Sequence, residues 1–331
     1  YVAVEVGIGG FRPTAPQEVL TRRWGDCKDK ALLLAEMLTA VGVPAYPALA
    51  LLDADGRVDR EFPSPFEFNH AIVAIPTAGF DVAEGDPIAG GYLFVDATQT
   101  LGSPSWLSPS VQDQEVLVVR GDGGELVRTP IVTPAESTTL STAFGLDAEG
   151  NATGQALLAL RGEEGARFVL GLATNTPNEI DATLRSVLGL HLPGATISDL
   201  RGTPEREGVP RFEVAARIAA PHLFAGSEGS ASAVVPSVQG LPAIRVLDDR
   251  ADAVVLEPGT WTASHRLALP AGNGCTLAEG QDLLTENDLG RVRQTVRMDG
   301  AVAVIERTTE VHRRFIEPAD FAALRELSLA E

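Results

Sequence analysis

The sequence lacks almost everything that would point to a metal cage, a disulfide framework or a nucleic-acid partner. Its 331 residues hold two cysteines, Cys27 and Cys275, too few for a disulfide scaffold. No CxxC or HExxH pattern occurs and the five histidines are scattered, so no metal and no cofactor is expected. No run approaches the ~18 unbroken apolar residues of a membrane span. Basic residues are outnumbered, 26 against 45, and the net charge of −19 argues against nucleic acid or an anionic membrane surface. Lysine is the scarcest cation. Only Lys28 and Lys30 occur, and both lie close to Cys27.

What is present is material for cores. At 44% hydrophobic and 21% charged, the chain is about twice a typical domain in length. Two domains are expected, 1–130 and 139–331, joined by a linker at 131–138 in the stretch rich in Pro, Thr and Ser. The chain opens at Tyr1 inside an alternating strand pattern, Tyr-Val-Ala-Val-Glu-Val, as a mature segment or a fragment would.

The first half mixes helix and strand. Pro13 to Arg23 reads as a short helix, and residues 27–41 as a clearer one. Leu34, Met37, Leu38 and Val41 recur there at helical spacing, and Gly42 with Pro44 ends the run. Asp26 is the expected N-cap, with Asp29 completing a capping-box-like pair, which makes Cys27 the first helical residue. Strand patterns follow at 45–52, 69–76, 92–96 and 115–120. In the second half strands are expected at 139–147, 155–161, 211–220, 230–236, 251–256 and 260–269. A hairpin, 290–298 with 301–309, turns at Asp299-Gly300. Helices near 163–190 interrupt these strands, and another closes the chain over 318–330. The grammar is α+β, followed by a mostly antiparallel β domain with a helical insertion.

A cysteine in the first turn of a helix is a favoured nucleophile, because free backbone N–H groups and the helix dipole stabilise the thiolate. The same N–H groups can later hold an oxyanion. Position alone is equally compatible with a small buried residue. His70 opens the strand at 70–75 and Asp96 closes the strand at 92–96. Antiparallel pairing with Ile75 opposite Gly91 sets His70 directly opposite Asp96, near enough for a carboxylate to orient an imidazole. A strand histidine and a strand-ending aspartate are each ordinary alone. Together with Cys27 they form a Cys-His-Asp nucleophilic constellation. Cys275, after Asn273-Gly274 in a loop-like stretch, has no such partners.

Arg23-Trp24-Gly25-Asp26-Cys27-Lys28-Asp29-Lys30-Ala31 closely resembles the Gly-Asp-Cys-Lys-Asp-Lys signature of bacterial transglutaminase-like proteins. Phe68-Asn69-His70-Ala71 and Phe94-Val95-Asp96-Ala97-Thr98 resemble that family's histidine and aspartate motifs in the same chain order. Ala97 departs from the proline more usual after the aspartate. The downstream half is similar in layout to the β-rich domain that often follows such a core. The resemblance implies a papain-like/transglutaminase-like core with Cys27 as nucleophile, His70 as base and Asp96 as orienter. It also implies an extracytoplasmic, periplasmic or cell-envelope setting and a protein or peptide substrate.

Around these three residues, Trp24, Asp26, Lys28, Lys30 and Asn69 are candidates for substrate contact or site support. The two lysines oppose the helix dipole, so propensity did not place them. Pairing of their compact ammonium groups with Asp26, Asp29 or carbonyls is favoured over a role toward the substrate. Trp24 fits a core aromatic better than a wall of the acyl groove. The expected reaction is thiol acyl transfer, as a protease or amidase with water or a transglutaminase with an amine. A catalytically silent scaffold that binds a cell-envelope partner is the alternative, and an arylamine acetyltransferase a distant third.

Overall fold

The computed structural model describes all residues except 5, 53–57, 63, 80, 102–103, 105, 133–136, 207, 222, 228–229, 234–235, 242–252 and 271–280. The chain divides into two compact units, Tyr1–Ala135 with Glu207–Val209, and Glu136–Arg206 with Pro210–Glu331. Cys275 lies outside the described residues, as do 133–136 of the expected linker.

The first unit is α+β. Its helices are α1 (Pro16–Arg22) and α2 (Cys27–Ala40). Its strands are β1 (Tyr46–Ala50), β2 (His70–Pro76), β3 (Ile88–Ala89), β4 (Tyr92–Val95), β5 (Glu115–Arg120) and β6 (Gly123–Arg128). They pair antiparallel in the order β3-β4-β2-β1-β5-β6. The centre of β2 is an unbroken apolar run, Ala71 to Ile75, because both of its faces are covered. Ile72 and Ala74 join Phe94, Leu107, Val116 and Val118 in one core. Ala71, Val73 and Ile75 face the other way and meet Cys27, Ala31 and Ala35 of α2. Met37 and Val41, expected on the apolar stripe of α2, are instead exposed at 52% and 76%. Alanines form the buried stripe, since small side chains let the helix close on β2, and a search for large apolar residues passes over them.

Strand register differs from the expected one. Val73 pairs with Val95 and Ile75 with Leu93, not with Gly91. Gly90 and Gly91 take φ of 58° and 81° and make the tight turn of a β3–β4 hairpin, and the Gly91 carbonyl accepts from the Thr77 N–H at 2.9 Å instead of lying opposite Ile75. The strand therefore slides by two residues. An even shift keeps every side chain on its face, so His70 and Asp96 stand diagonally on one side rather than directly opposed. A second correction concerns the start of the chain. Among the described residues 1–4 and 6 no strand forms, and a short 3-10 helix, Gly7–Gly10, follows.

The second unit contains β7 (Ser137–Leu146), β8 (Ala152–Arg161), β9 (Thr196–Glu205), β10 (Arg211–Ala220), β11 (Phe224–Ser227) and β12 (Ser230–Ala233). It continues with β13 (Val254–Val255), β14 (Gly259–Ala268), β15 (Leu283–Asn287), β16 (Gly290–Asp299), β17 (Val302–Val311) and β18 (Phe315–Ile316). Among the described residues eight of these form one sheet, ordered β15-β16-β17-β14-β7-β8-β10-β9. All neighbours are antiparallel except β14 and β7. Helices α3 (Glu163–Thr174) and α4 (Pro177–His191) interrupt the strands, and α5 (Phe321–Ala330) closes the unit over Val292, Val311 and Ile316. β7 begins at Ser137, inside the stretch expected to be linker. β9 escapes the sequence pattern because it is an edge strand with exposed polar residues and no alternation. No helix among the described residues is long and apolar enough to cross a membrane.

Candidate active site

The first residues of α2 are held by a dense set of local contacts. Arg23 caps α1 in the left-handed region at φ 61°, turning the chain toward Gly25. Gly25 is required by close approach, since a Cβ there would lie 2.8 Å from Asp29 Cβ and 3.3 Å from Val19 Cγ1. Asp26 caps α2 by accepting from the Asp29 backbone N–H at 3.1 Å. The reciprocal half of the expected capping box is absent. Asp29 instead turns its carboxylate outward from the helix, to the Thr14 N–H at 2.7 Å and the Arg22 guanidinium at 2.5 Å. Arg22 also donates to the Trp24 carbonyl at 2.8 Å and stacks 3.8 Å over the Trp24 ring. This clamp fixes the turn that presents Cys27.

Cys27 is the first residue of α2 and is buried, 7% exposed. His70 opens β2 and Asp96 follows the end of β4, so all three residues meet at one end of the sheet. The imidazole Nε2 lies 2.8 Å from Asp96 Oδ2. Cys27 stands near enough to His70 to help raise its pKa, and with Nε2 taken by Asp96 the other ring nitrogen, Nδ1, is the one left for sulfur. The diagonal placement of His70 and Asp96 is thus within reach of a long imidazole. Asp96 Oδ1 is held in turn by the Thr98 N–H at 2.8 Å and the Thr98 hydroxyl at 2.7 Å. Asn69 accepts from the Leu52 N–H at 2.9 Å and its own N–H reaches the Ala50 carbonyl, which anchors the start of β2 to β1.

The electrostatics follow from that geometry. Burial alone would lower the His70 pKa, but the Asp96 and Cys27 contacts outweigh it and raise the pKa to about 9. Asp96 is buried, which opposes its charge, yet the bonds from His70 and Thr98 hold its carboxyl below the usual range. At neutral pH the histidine carries its proton between a carboxylate and a sulfur. Such an imidazolium can deliver its proton to a leaving group.

The remaining candidates are placed as follows. The Lys28 ammonium pairs with Asp26 Oδ2, both side chains being largely buried. Among the described residues Lys30 makes no ion pair with Asp26 or Asp29. Trp24 is 39% exposed and stacked on Arg22, not a core aromatic. Three contributors escape sequence reasoning. Arg22 is one arginine among many, and Tyr1 is brought toward the Cys27 turn only through the fold, by the Val2 N–H bonded to the Gly25 carbonyl at 3.1 Å. Thr98 carries a legible signal, since Asp-x-Thr is a self-bonding turn.

No family model matches the chain, and no curated protein matches it in sequence. Solved structures match it in fold. A protein of Parabacteroides distasonis ATCC 8503 described as a "putative protease" aligns with 98% of this chain at a TM-score of 0.50 and 13% identity. The chain spans 45% of the length of that protein. At this identity the likeness is one of fold.

Proposed function

We propose that the first unit is a thiol-dependent acyl-transfer enzyme of transglutaminase-like, papain-like design that hydrolyses a peptide or carboxamide. The observation that carries this reading is the 2.8 Å bond from His70 Nε2 to Asp96 beside Cys27 at the start of α2, with the His70 pKa raised to about 9 by Asp96 and Cys27. Imidazolium beside sulfur favours the nucleophilic thiolate. Cys27 Sγ attacks the carbonyl carbon, the C–S bond forms and the carbonyl electron pair moves to oxygen. Collapse of the intermediate expels the amine, which takes its proton from His70 and leaves a thioester. Water then gives a proton to the neutral His70 as it attacks the thioester, the C–S bond breaks, the carboxylic acid leaves, and the thiolate and imidazolium are restored. Asp96 holds the imidazole in orientation throughout and stabilises its charge.

Hydrolysis is preferred to amine transfer because the solved neighbour's description is that of a protease. The extracytoplasmic setting is proposed on the family resemblance alone. The test is incubation with a casein or peptide library and a labelled amine, comparing the chain with Cys27→Ala. New peptide termini with little amine label, both lost in Cys27→Ala, are expected. Cys27-dependent amine label assigns the same site to transfer. Identical silence from both chains overturns the reading in favour of a non-catalytic scaffold.

A further inference from the structure

Residues 2–14 are pinned near both ends to the turn that presents Cys27. The Val2 N–H donates to the Gly25 carbonyl at 3.1 Å, and the Thr14 N–H donates to Asp29 Oδ1 at 2.7 Å. Between these two bonds Val4, Val6, Ile8 and Phe11 are exposed. The Phe11 ring meets the Phe66 ring edge to face, with centroids 5.1 Å apart and planes at 82°. Both rings are open to solvent, Phe11 58% and Phe66 77% exposed. Phe66 sits in a short 3-10 helix, Pro65–Glu67, just ahead of His70. Polar bonds fix that segment, since the Phe66 N–H donates to Ser64 Oγ at 3.2 Å and Glu67 accepts from the Asp59 N–H at 2.7 Å. The Phe11 N–H is likewise held by the Ile8 carbonyl at 3.1 Å. Backbone bonds and not burial therefore hold the pair. One ring belongs to a loop tied to the Cys27 turn, the other to the segment that leads into the His70 strand.

We propose that the Phe11–Phe66 pair is a specificity site that receives a large apolar side chain of the peptide processed at Cys27. The proposal rests on the acyl-transfer reading above. Contiguous exposed apolar surface marks a place where something binds, and its position here names the occupant. An extended chain spans at most ~3.6 Å per residue, so Phe66 lies within ~14 Å of His70. A bound peptide running at ~3.3 Å per residue covers that distance in about four residues. The ledge is thus within reach of a substrate side chain a few positions from the reacting carbonyl. An edge-to-face pair also leaves at least one ring face open, on which a third ring or an aliphatic chain can stack. Ile8, exposed on the same turn as Phe11, adds apolar surface beside it.

The test maps which sequences are processed. The chain, Phe11→Ser, Phe66→Ser, Phe66→Leu and Cys27→Ala are each incubated with a peptide library and a labelled amine, and cut or labelled positions are read by mass spectrometry. The chain is expected to select Phe, Tyr, Trp, Leu, Ile or Met at one position within about four of the reacting carbonyl. In Phe66→Ser, kcat/KM for such peptides should fall about ten- to a hundredfold, while peptides with Gly at that position change less than about twofold. Phe11→Ser should lose the same selectivity, and Phe66→Leu should keep most of it. Equal losses for both peptide classes make the pair a structural support and overturn the proposal. Cys27-dependent processing with no apolar preference, or with one that survives both serine variants, overturns it and leaves the acyl-transfer reading standing. Serine variants that turn a dimer into a monomer in sedimentation, with selectivity unchanged, assign the patch to a second copy and also overturn it. Products that form equally with Cys27→Ala, or no products from any chain, overturn both.

Discussion

Each of the residues at the proposed centre has a separable task, and substitution distinguishes them. Asp96→Asn keeps the size and one acceptor but removes the charge that holds the His70 proton. Turnover of a peptide substrate is expected to fall about 10²–10⁴-fold, read as kcat/KM. Thr98→Val removes the hydroxyl bond to Asp96 Oδ1 and leaves the backbone bond, so the loss is smaller, on the order of tenfold. Equal losses in the two variants would contradict this division. Cys27, His70 and Asp96 stand out in the sequence because their residue types and order suit the proposed chemistry. The nearness of Tyr1 to the Cys27 turn does not, because it depends on a single backbone bond from Val2 to Gly25 rather than on any periodic pattern.

The elements determine how well those residues meet. α2 starts where it does because Asp26 caps it, and its closeness to β2 rests on Ala31 and Ala35. Asp26→Ala is expected to cost about 1 kcal/mol for the lost cap, with a further loss from the unpaired Lys28. Asp26→Asn keeps the cap and loses only the ion pair, so urea titration should find it the milder of the two. Gly25→Ala introduces a Cβ against Asp29 and Val19, and is expected to destabilise by about 1–3 kcal/mol and slow Cys27 alkylation. The helix start and the strand patterns at 46–50, 70–76 and 115–120 follow from capping and hydrophobic runs in the sequence. The β2–β4 register does not, because the Gly90-Gly91 turn and the two-residue β3 leave almost no pattern of their own. Its error was even-numbered, and so the pairing of His70 with Asp96 survived it.

At the scale of the whole molecule the two units carry opposite pH dependences. The His70 pKa, raised to about 9, contributes stability that is full below pH ~6.5 and lost as pH rises through 9, up to about 3 kcal/mol. His265 is buried in the second unit with Nδ1 2.8 Å from the Thr142 hydroxyl, and burial lowers its pKa to about 4. Its contribution is present above pH ~6.5 and lost as pH falls through 4. Unfolding followed across pH is therefore expected to lose the first unit on the alkaline side, with His70→Gln removing that slope, and the second on the acid side. Core truncation separates them again. Leu324→Ala, in the fully buried α5 core, should cost the second unit about 2–5 kcal/mol and leave Cys27 alkylation unchanged. The division into an α+β half and a largely antiparallel half was readable from the change in periodicity, whereas β9, polar and at the sheet edge, was not. The most direct measurement of the central claim is peptide-mapped iodoacetamide labelling of Cys27 and Cys275 in one sample at pH 6–7, repeated in His70→Ala. The account predicts that Cys27, though buried, reacts faster than Cys275 and loses that advantage without His70. Equal or slower labelling of Cys27 in the unmodified sequence, or an advantage that persists in His70→Ala, would contradict it.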